Sequence, residues 1–267
     1  MNSDKKPAVV TFGELLLRLD PFGMDRLTQA EMFRARYTGA EANVAVSLAG
    51  FGVDAYAVSK VPAHEIGQAC VNYLRRFGVN TDFIVRGGDR LGMLYVETGF
   101  SQRPSKVIYD RNHSSIRELV PGELDWRRIL AGKRWFHFSG TAPALGDNVT
   151  AVLEEARDTA RELGVTTSCD CNYRSKLWSV EEAGRVLASP LEPVNVLVSG
   201  REAPQKLVGS PAQADEQGAR ELRPRLRPDL VAMPLRPAVS PSVNRFSCPL
   251  CPAPLYPSER PDDLHQV

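Results

Sequence analysis

Net charge is nearly absent from this sequence. Thirty-three basic residues face 32 acidic ones, a formal balance of +1 at neutral pH. Such a chain lacks the one-sided field that draws proteins to nucleic acid or to anionic lipid, so neither is expected as a partner. No apolar run reaches the length needed to cross a bilayer. The opening M-N-S-D-K-K-P is polar and has no apolar core of the signal-peptide kind. A cytoplasmic location is the expectation that follows. Cysteine is sparse and odd in number, with five residues at Cys70, Cys169, Cys171, Cys248 and Cys251. Without an export signal, these read as free thiols rather than a disulfide framework. Cys248-Pro-Leu-Cys251 has the spacing of zinc and redox sites, but no second pair and no nearby histidine completes it. No metal ligands are assigned there. No internal repeat is visible.

What remains is an ordinary globular composition. The chain has 267 residues and is 43% hydrophobic, enough for a sizeable core in one large domain or two small ones. Its organising stretch runs from Thr38 to Gly52, T-G-A-E-A-N-V-A-V-S-L-A-G-F-G. Gly39 and Ala40 are small enough for backbone to approach a ligand. Glu41 and Asn43 stand where a helix should begin. Val44, Ala45, Val46, Leu48 and Ala49 then predict a small-residue helix, stopped by Gly50 and Gly52. Free N–H groups at such a helix start suit a polar ligand. A tight turn into a buried helix would use the same residues.

The elements around that stretch alternate. Ala8 to Phe12 reads as a buried strand ending at Gly13, with Glu14 next, and Leu15 to Asp20 as a second strand. Asp54 to Val61 is another strand. Ile66 to Phe77 has helical spacing through Ile66, Ala69, Cys70, Tyr73, Leu74 and Phe77. The order favours a parallel sheet with helices on its faces. Leu91 to Thr98 and Ser105 to Arg111 suit a small antiparallel flap better than central strands. Lys133 to Ser139 is a strand, and Val149 to Leu163 an amphipathic helix with Val152, Leu153, Ala156, Ala160 and Leu163 on its apolar face. Val165 to Cys171 is a strand, Val180 to Leu187 a helix and Val194 to Val198 a short strand. After about Gly209 prolines recur among arginines and no period lasts a full element. This segment, 210–267, reads as a disordered or loosely packed tail that does not continue the sheet.

Ligands of such sheets sit beyond the carboxyl ends of the strands. Polar residues collect there: Glu14, the Gly39–Asn43 loop, Ser139–Gly140, then Asp170, Asn172 and Arg174, with Tyr95, Tyr109 and Arg111 on the flap. Carboxylates and amides such as Glu14 and Asn43 suit a hydroxyl-rich ligand. Arg111 and Arg174 suit an acid group, because the guanidinium fork pairs with a carboxylate in two parallel bonds. Singly, each has a plainer reading: surface charges for the arginines, strand packing for the tyrosines, a turn cap for Asp170. His137, between Trp135, Phe136 and Phe138, reads as a core histidine.

These residues carry a resemblance. The opening V-V-T-F-G-E-L-L-L-R-L, the signature Gly39-Ala-Glu-Ala-Asn43-Val-Ala with Gly50-Phe-Gly52 and Gly67, the stretch Leu91–Asn112, the strand W-F-H-F-S-G and Asp170-Cys-Asn-Tyr-Arg174-Ser-Lys-Leu-Trp resemble the ribokinase-like (PfkB) carbohydrate kinases. Within them they are most similar to the 2-keto-3-deoxygluconate kinases. The resemblance covers about residues 8–209, which it makes the N-terminal part of a sugar kinase domain. It implies a three-layer α/β sandwich with a central, mostly parallel sheet and a small β lid, C-terminally incomplete. It implies transfer of the γ-phosphoryl of ATP, with Mg²⁺, to a sugar hydroxyl. It further implies substrate contacts from Gly39, Ala40, Asn43, Tyr95, Tyr109, Arg111 and Arg174, a nucleotide and metal side near Asp170, Asn172 and Glu202, and lids that pair as homodimers. Fructose and ribose kinases share the first signature and are the alternative.

The departures are equally specific. The family's late G-A-G-D-type signature, which brings the aspartate base and the anion hole, does not occur in the sequence, so no catalytic residue is assigned. The N-x-x-E element appears only as Ser199-Gly200-Arg201-Glu202. Phosphoryl transfer depends on positioning and charge stabilisation, so weak or absent activity is expected, as in a truncated or frameshifted sugar-binding remnant with an exposed sheet edge.

Overall fold

The computed structural model describes residues 7–172, 179, 194–200, 218, 220, 222, 227–235, 238–240 and 243–252. The chain divides into two compact units, Met1–Arg134 and Trp135–Val267.

In the first unit, β1 (Ala8–Phe12) runs through the apolar A-V-V-T-F segment. It is followed by β2 (Leu16–Pro21) and β3 (Phe33–Thr38). Helix α1 (Ala40–Gly50) starts directly after Gly39. Its small residues Ala42 and Ala45 are buried, and they pack in one cluster with Leu15, Ala55, Ala57 and Val61. Then come β4 (Asp54–Val61), α2 (Glu65–Arg76) and β5 (Asn80–Arg86). The α2 start is capped by His64, whose Nδ1 accepts from the Ile66 N–H at 3.2 Å. Its last turn carries Arg75 and Arg76, which suit the negative helix end. Strands β1, β4 and β5 pair in parallel in the order β1-β4-β5. This is the predicted strand–helix–strand–helix frame.

The flap is larger than the sequence suggests. Strands β6 (Gly92–Glu97) and β7 (Lys106–Asp110) form the expected antiparallel pair. They join a four-stranded sheet of order β3-β2-β6-β7, in which β2 and β6 are parallel. The sequence reading missed β3 because F-R-A-R-Y-T alternates aromatics with arginine and four of its six residues are exposed. It also missed β5, whose apolar run spans only Phe83 to Val85. Helix α3 (Trp126–Leu130) closes the unit, with the Trp126 ring edge-on to Phe12 at 5.4 Å.

In the second unit, β8 (Trp135–Ser139), α4 (Asp147–Glu162), β9 (Thr166–Asp170) and β10 (Val196–Val198) match the expected elements. Strands β8, β9 and β10 are parallel neighbours. Helix α4 buries Val149, Val152, Leu153, Ala156 and Ala160. Leu163, expected on that face, caps the helix end and is 41% exposed. The spacing in α2 fails similarly: Ile66 and Phe77 are exposed, and Gly67 and Val71 join Cys70 and Leu74 inside.

The proline-rich segment does extend the sheet, against expectation. Strand β11 (Leu230–Ala232) pairs in parallel with β10. After a two-stranded hairpin of β12 (Ala238–Ser240) and β13 (Val243–Asn244), β14 (Leu250–Pro252) runs antiparallel to β11. Strands of three residues are too short to show a period, and their pairing is decided by distant partners. The expected helix at Val180–Leu187 lies outside the described residues.

None of the five cysteines is disulfide-bonded. Cys169 and Cys171 are buried, as their shared strand face predicted. Burial pushes the Cys171 thiol up to about 12, and Cys70 likewise to about 12.

Candidate functional site

The first unit gathers several of the sequence-predicted residues where β1 and β7 end and α1 begins. Gly39 is buried and its backbone is extended. A Cβ on it would run into the Glu14 carbonyl oxygen, so only glycine lets the two chains approach here. No side chain caps the α1 start. Ala40 and Asn43 are exposed. The Asn43 N–H donates to the Gly39 carbonyl at 2.9 Å, and Thr38 Oγ1 donates to Asn43 Oδ1 at 3.3 Å. The exposed residues of the helix start are thus Ala40 and Asn43, whose carboxamide suits hydroxyl and carboxylate groups, while Glu41 and Ala42 are buried.

Arg111 lies against this region. Its guanidinium carbon sits 4.4 Å from the centre of the Tyr109 ring, a cation–π contact. Its Nε lies 3.2 Å from Glu14 Oε2, and its side chain is 12% exposed. The angle at Nε does not make a hydrogen bond, and neither Nε nor Nη1 has another hydrogen-bond partner. Ser114 Oγ donates to Glu14 Oε1 at 2.9 Å. Burial raises the Glu14 carboxyl above the usual carboxylate range, and Arg111, the Ser114 hydroxyl, Arg117 and Arg90 oppose that rise. A separate two-bond pair, Arg90 to Asp110 at 3.0 and 2.8 Å, ties the entry of β6 to the end of β7. The Arg90 bonds hold the Asp110 carboxyl below the usual range.

Glu14, read as a group that could hold ligand hydroxyls, is only 5% exposed and is engaged by protein. Tyr95 and Tyr109 do not share a face of the flap. In the β6–β7 register Tyr109 faces Leu94, while Tyr95 faces Ile108, so the two tyrosines point to opposite sides. Tyr95 instead meets Phe33 edge-on at 6.3 Å. No sequence signal marks Ser114 or the Arg90–Asp110 pair, because both depend on chain segments at least 20 residues apart.

In the second unit, Asp170 ends β9, and its Oδ1 accepts the Asn172 N–H at 2.9 Å. Asn172 has φ of 38°, a left-handed conformation that asparagine tolerates. Arg174 and Glu202 lie outside the described residues. Among the described residues no group of three or more His, Cys, Asp or Glu could hold a metal. His137 is half-buried: its Nδ1 lies 2.8 Å from Ser168 Oγ, which also accepts from Trp135 Nε1 at 2.7 Å. Burial lowers its imidazole to about 4. A cavity of about 240 Å³ opens near the amino ends of β9 to β11, lined by Arg157, Arg161, Asn195, Arg227 and Asp229. It contains none of the expected site residues.

Comparison with known proteins agrees with these observations. The profile of the pfkB family carbohydrate kinases matches residues 6–227, further along the chain than the motifs alone suggest. A crystal structure of 2-dehydro-3-deoxygluconokinase from Thermotoga maritima is 45% identical and superposes with a TM-score of 0.86 over 91% of this chain and 77% of that one. A PfkB family carbohydrate kinase from Listeria grayi is 32% identical, with a TM-score of 0.85 over 92% of this chain and 77% of that one. The 2-dehydro-3-deoxygalactonokinase of Haloferax volcanii is 39% identical over 193 residues, 72% of this chain. The matched region spans 60% of the length of that relative. The α/β fold with a large, mostly parallel sheet is the one these solved structures share.

Proposed function

The chain belongs to the pfkB family of carbohydrate kinases, and on that premise we propose that its site receives a sugar acid of the 2-keto-3-deoxygluconate type as the acceptor for the γ-phosphoryl of ATP. The observation that carries the acid is Arg111: a guanidinium held over Tyr109, with Nη1 lacking a hydrogen-bond partner, beside an uncapped helix start. A sugar acid offers a carboxylate for the first and hydroxyls for the second. The 2-dehydro-3-deoxy sugar acid kinases among the relatives support the same class. Gly39 and Asn43 stand at the helix start, and Tyr109 backs Arg111. Arg174, Asp170, Asn172 and Glu202 complete the proposed assignment on the acid and nucleotide sides. Mg²⁺ would accompany ATP as it does in phosphoryl transfer generally.

Ser199, standing where the family's N-x-x-E element carries asparagine, favours a second reading, in which the acid is bound without turnover. A coupled ADP-release assay with ATP, Mg²⁺ and 2-keto-3-deoxygluconate, run beside D-fructose and a no-sugar control, separates the two. Acid-dependent release above the control supports turnover. Binding without release supports the second reading. A folded sample that neither binds the acid nor turns it over rejects both.

A further inference from the structure

Glu14 follows β1 directly, where a ligand-touching group was expected, yet the protein closes around it. Ser114 takes Oε1 at 2.9 Å, and Arg111 Nε stands 3.2 Å from Oε2. A Cβ on Gly92 would collide with Oε1, so the first residue of β6 leaves room for this carboxylate. Among the described residues, the charges that favour its ionised form include Arg111, Arg117 and Arg90. The ion pair engages the Nε side of Arg111 and leaves Nη1 without a partner, while Tyr109 fixes one face of the guanidinium plane.

A long arginine side chain has many rotamers, and a planar fork binds a carboxylate well only when its plane and edge are set beforehand. We propose that Glu14 is a positioning residue: held by Ser114, it fixes the Arg111 guanidinium against Tyr109 so that the Nη edge meets the carboxylate of the sugar acid. This inference rests on the sugar-acid reading. It assigns to Glu14 selection for acids over neutral sugars, exerted through Arg111 without touching the ligand. Burial raises the Glu14 carboxyl above the usual range, and Arg111, the Ser114 hydroxyl, Arg117 and Arg90 oppose that rise.

The test is calorimetric titration of 2-keto-3-deoxygluconate and, separately, D-fructose into wild type, Glu14→Gln, Ser114→Ala and Arg111→Ala. Alongside it, the Arg111 side-chain Nε–Hε resonance is followed by NMR in the wild type and in Glu14→Gln. Glu14→Gln keeps the size and a hydrogen-bonding oxygen but removes the charge. It should weaken the acid by about tenfold, the scale of a hydrogen bond to a charged group, and leave fructose within about twofold. The distinct Arg111 resonance should broaden or move toward the free-arginine position. Ser114→Ala should show a smaller change in the same direction. Equal weakening of both sugars by Glu14→Gln would assign it a merely structural role and overturn the proposal. So would unchanged acid affinity with an unchanged Arg111 resonance, where Arg111→Ala still weakens the acid. If Arg111→Ala leaves acid binding intact, the sugar-acid reading itself fails. The Arg111 resonance would then still report whether Glu14 holds that side chain.

Discussion

Burial holds the His137 imidazole near a pKa of about 4, against 6.5 for the free group. The sign of its effect on stability follows. Between pH 6.5 and about 4 the unfolded chain takes up a proton that the folded chain does not. His137 therefore contributes no pH-dependent penalty above pH 6.5 and destabilises the fold progressively as pH falls toward about 4. Chemical denaturation of His137→Gln should show a shallower acid loss than wild type, by on the order of 1–3 kcal/mol at pH 4.5. Equal slopes for the two proteins would contradict the buried neutral imidazole. The sequence reading of a core histidine between Trp135, Phe136 and Phe138 holds in part: Phe136 and Phe138 are buried, and His137, on the other face of the strand, is half-buried. Glu14 was not legible. Its position after a strand suggested ligand contact, and its enclosure depends on Ser114, 100 residues away, and on the absence of a side chain at Gly92.

At the scale of elements, α1 rests on a close approach. The Cβ of a Gly39→Ala variant would meet the Glu14 carbonyl oxygen, a backbone atom that moves only with its strand. The substitution should destabilise the protein by about 1–3 kcal/mol, the usual range for overpacking, and lower the midpoint of denaturant unfolding. An unchanged midpoint would mean that the loop relaxes freely. The T-G-A-E-A-N run marked this helix correctly, since small residues and a flanking glycine are local signals. Of the parallel strands, β1, β4, β8, β9 and β10 were legible as short runs, whereas β5 and β11 were not. Helix faces were read less well at their ends: Phe77 and Leu163 continue the apolar spacing but fall just beyond the last helical turn. Strand β3 escaped because a lid strand has no buried apolar stripe to display.

For the molecule as a whole, the alternation of strands and helices and the mostly parallel sheet were readable from periodicity, and the family from its motifs. The addition of β11 and β14 to the sheet was not, because Leu230–Ala232 and Leu250–Pro252 are short runs within a proline-rich stretch. Of the candidate site, the sequence supplied Gly39, Asn43, Tyr109 and Arg111. The opposite orientation of Tyr95 and Tyr109 needed the strand register, which no single sequence states. The claim at the centre of this account is recognition of an acid group by Arg111. Equilibrium titration of 2-keto-3-deoxygluconate into folded wild type and Arg111→Ala tests it most directly. Saturable binding by wild type and at least about tenfold weaker binding by the variant are the expected results, from the loss of a charge-assisted pair. Equal affinities, or no binding by folded wild type, would contradict it.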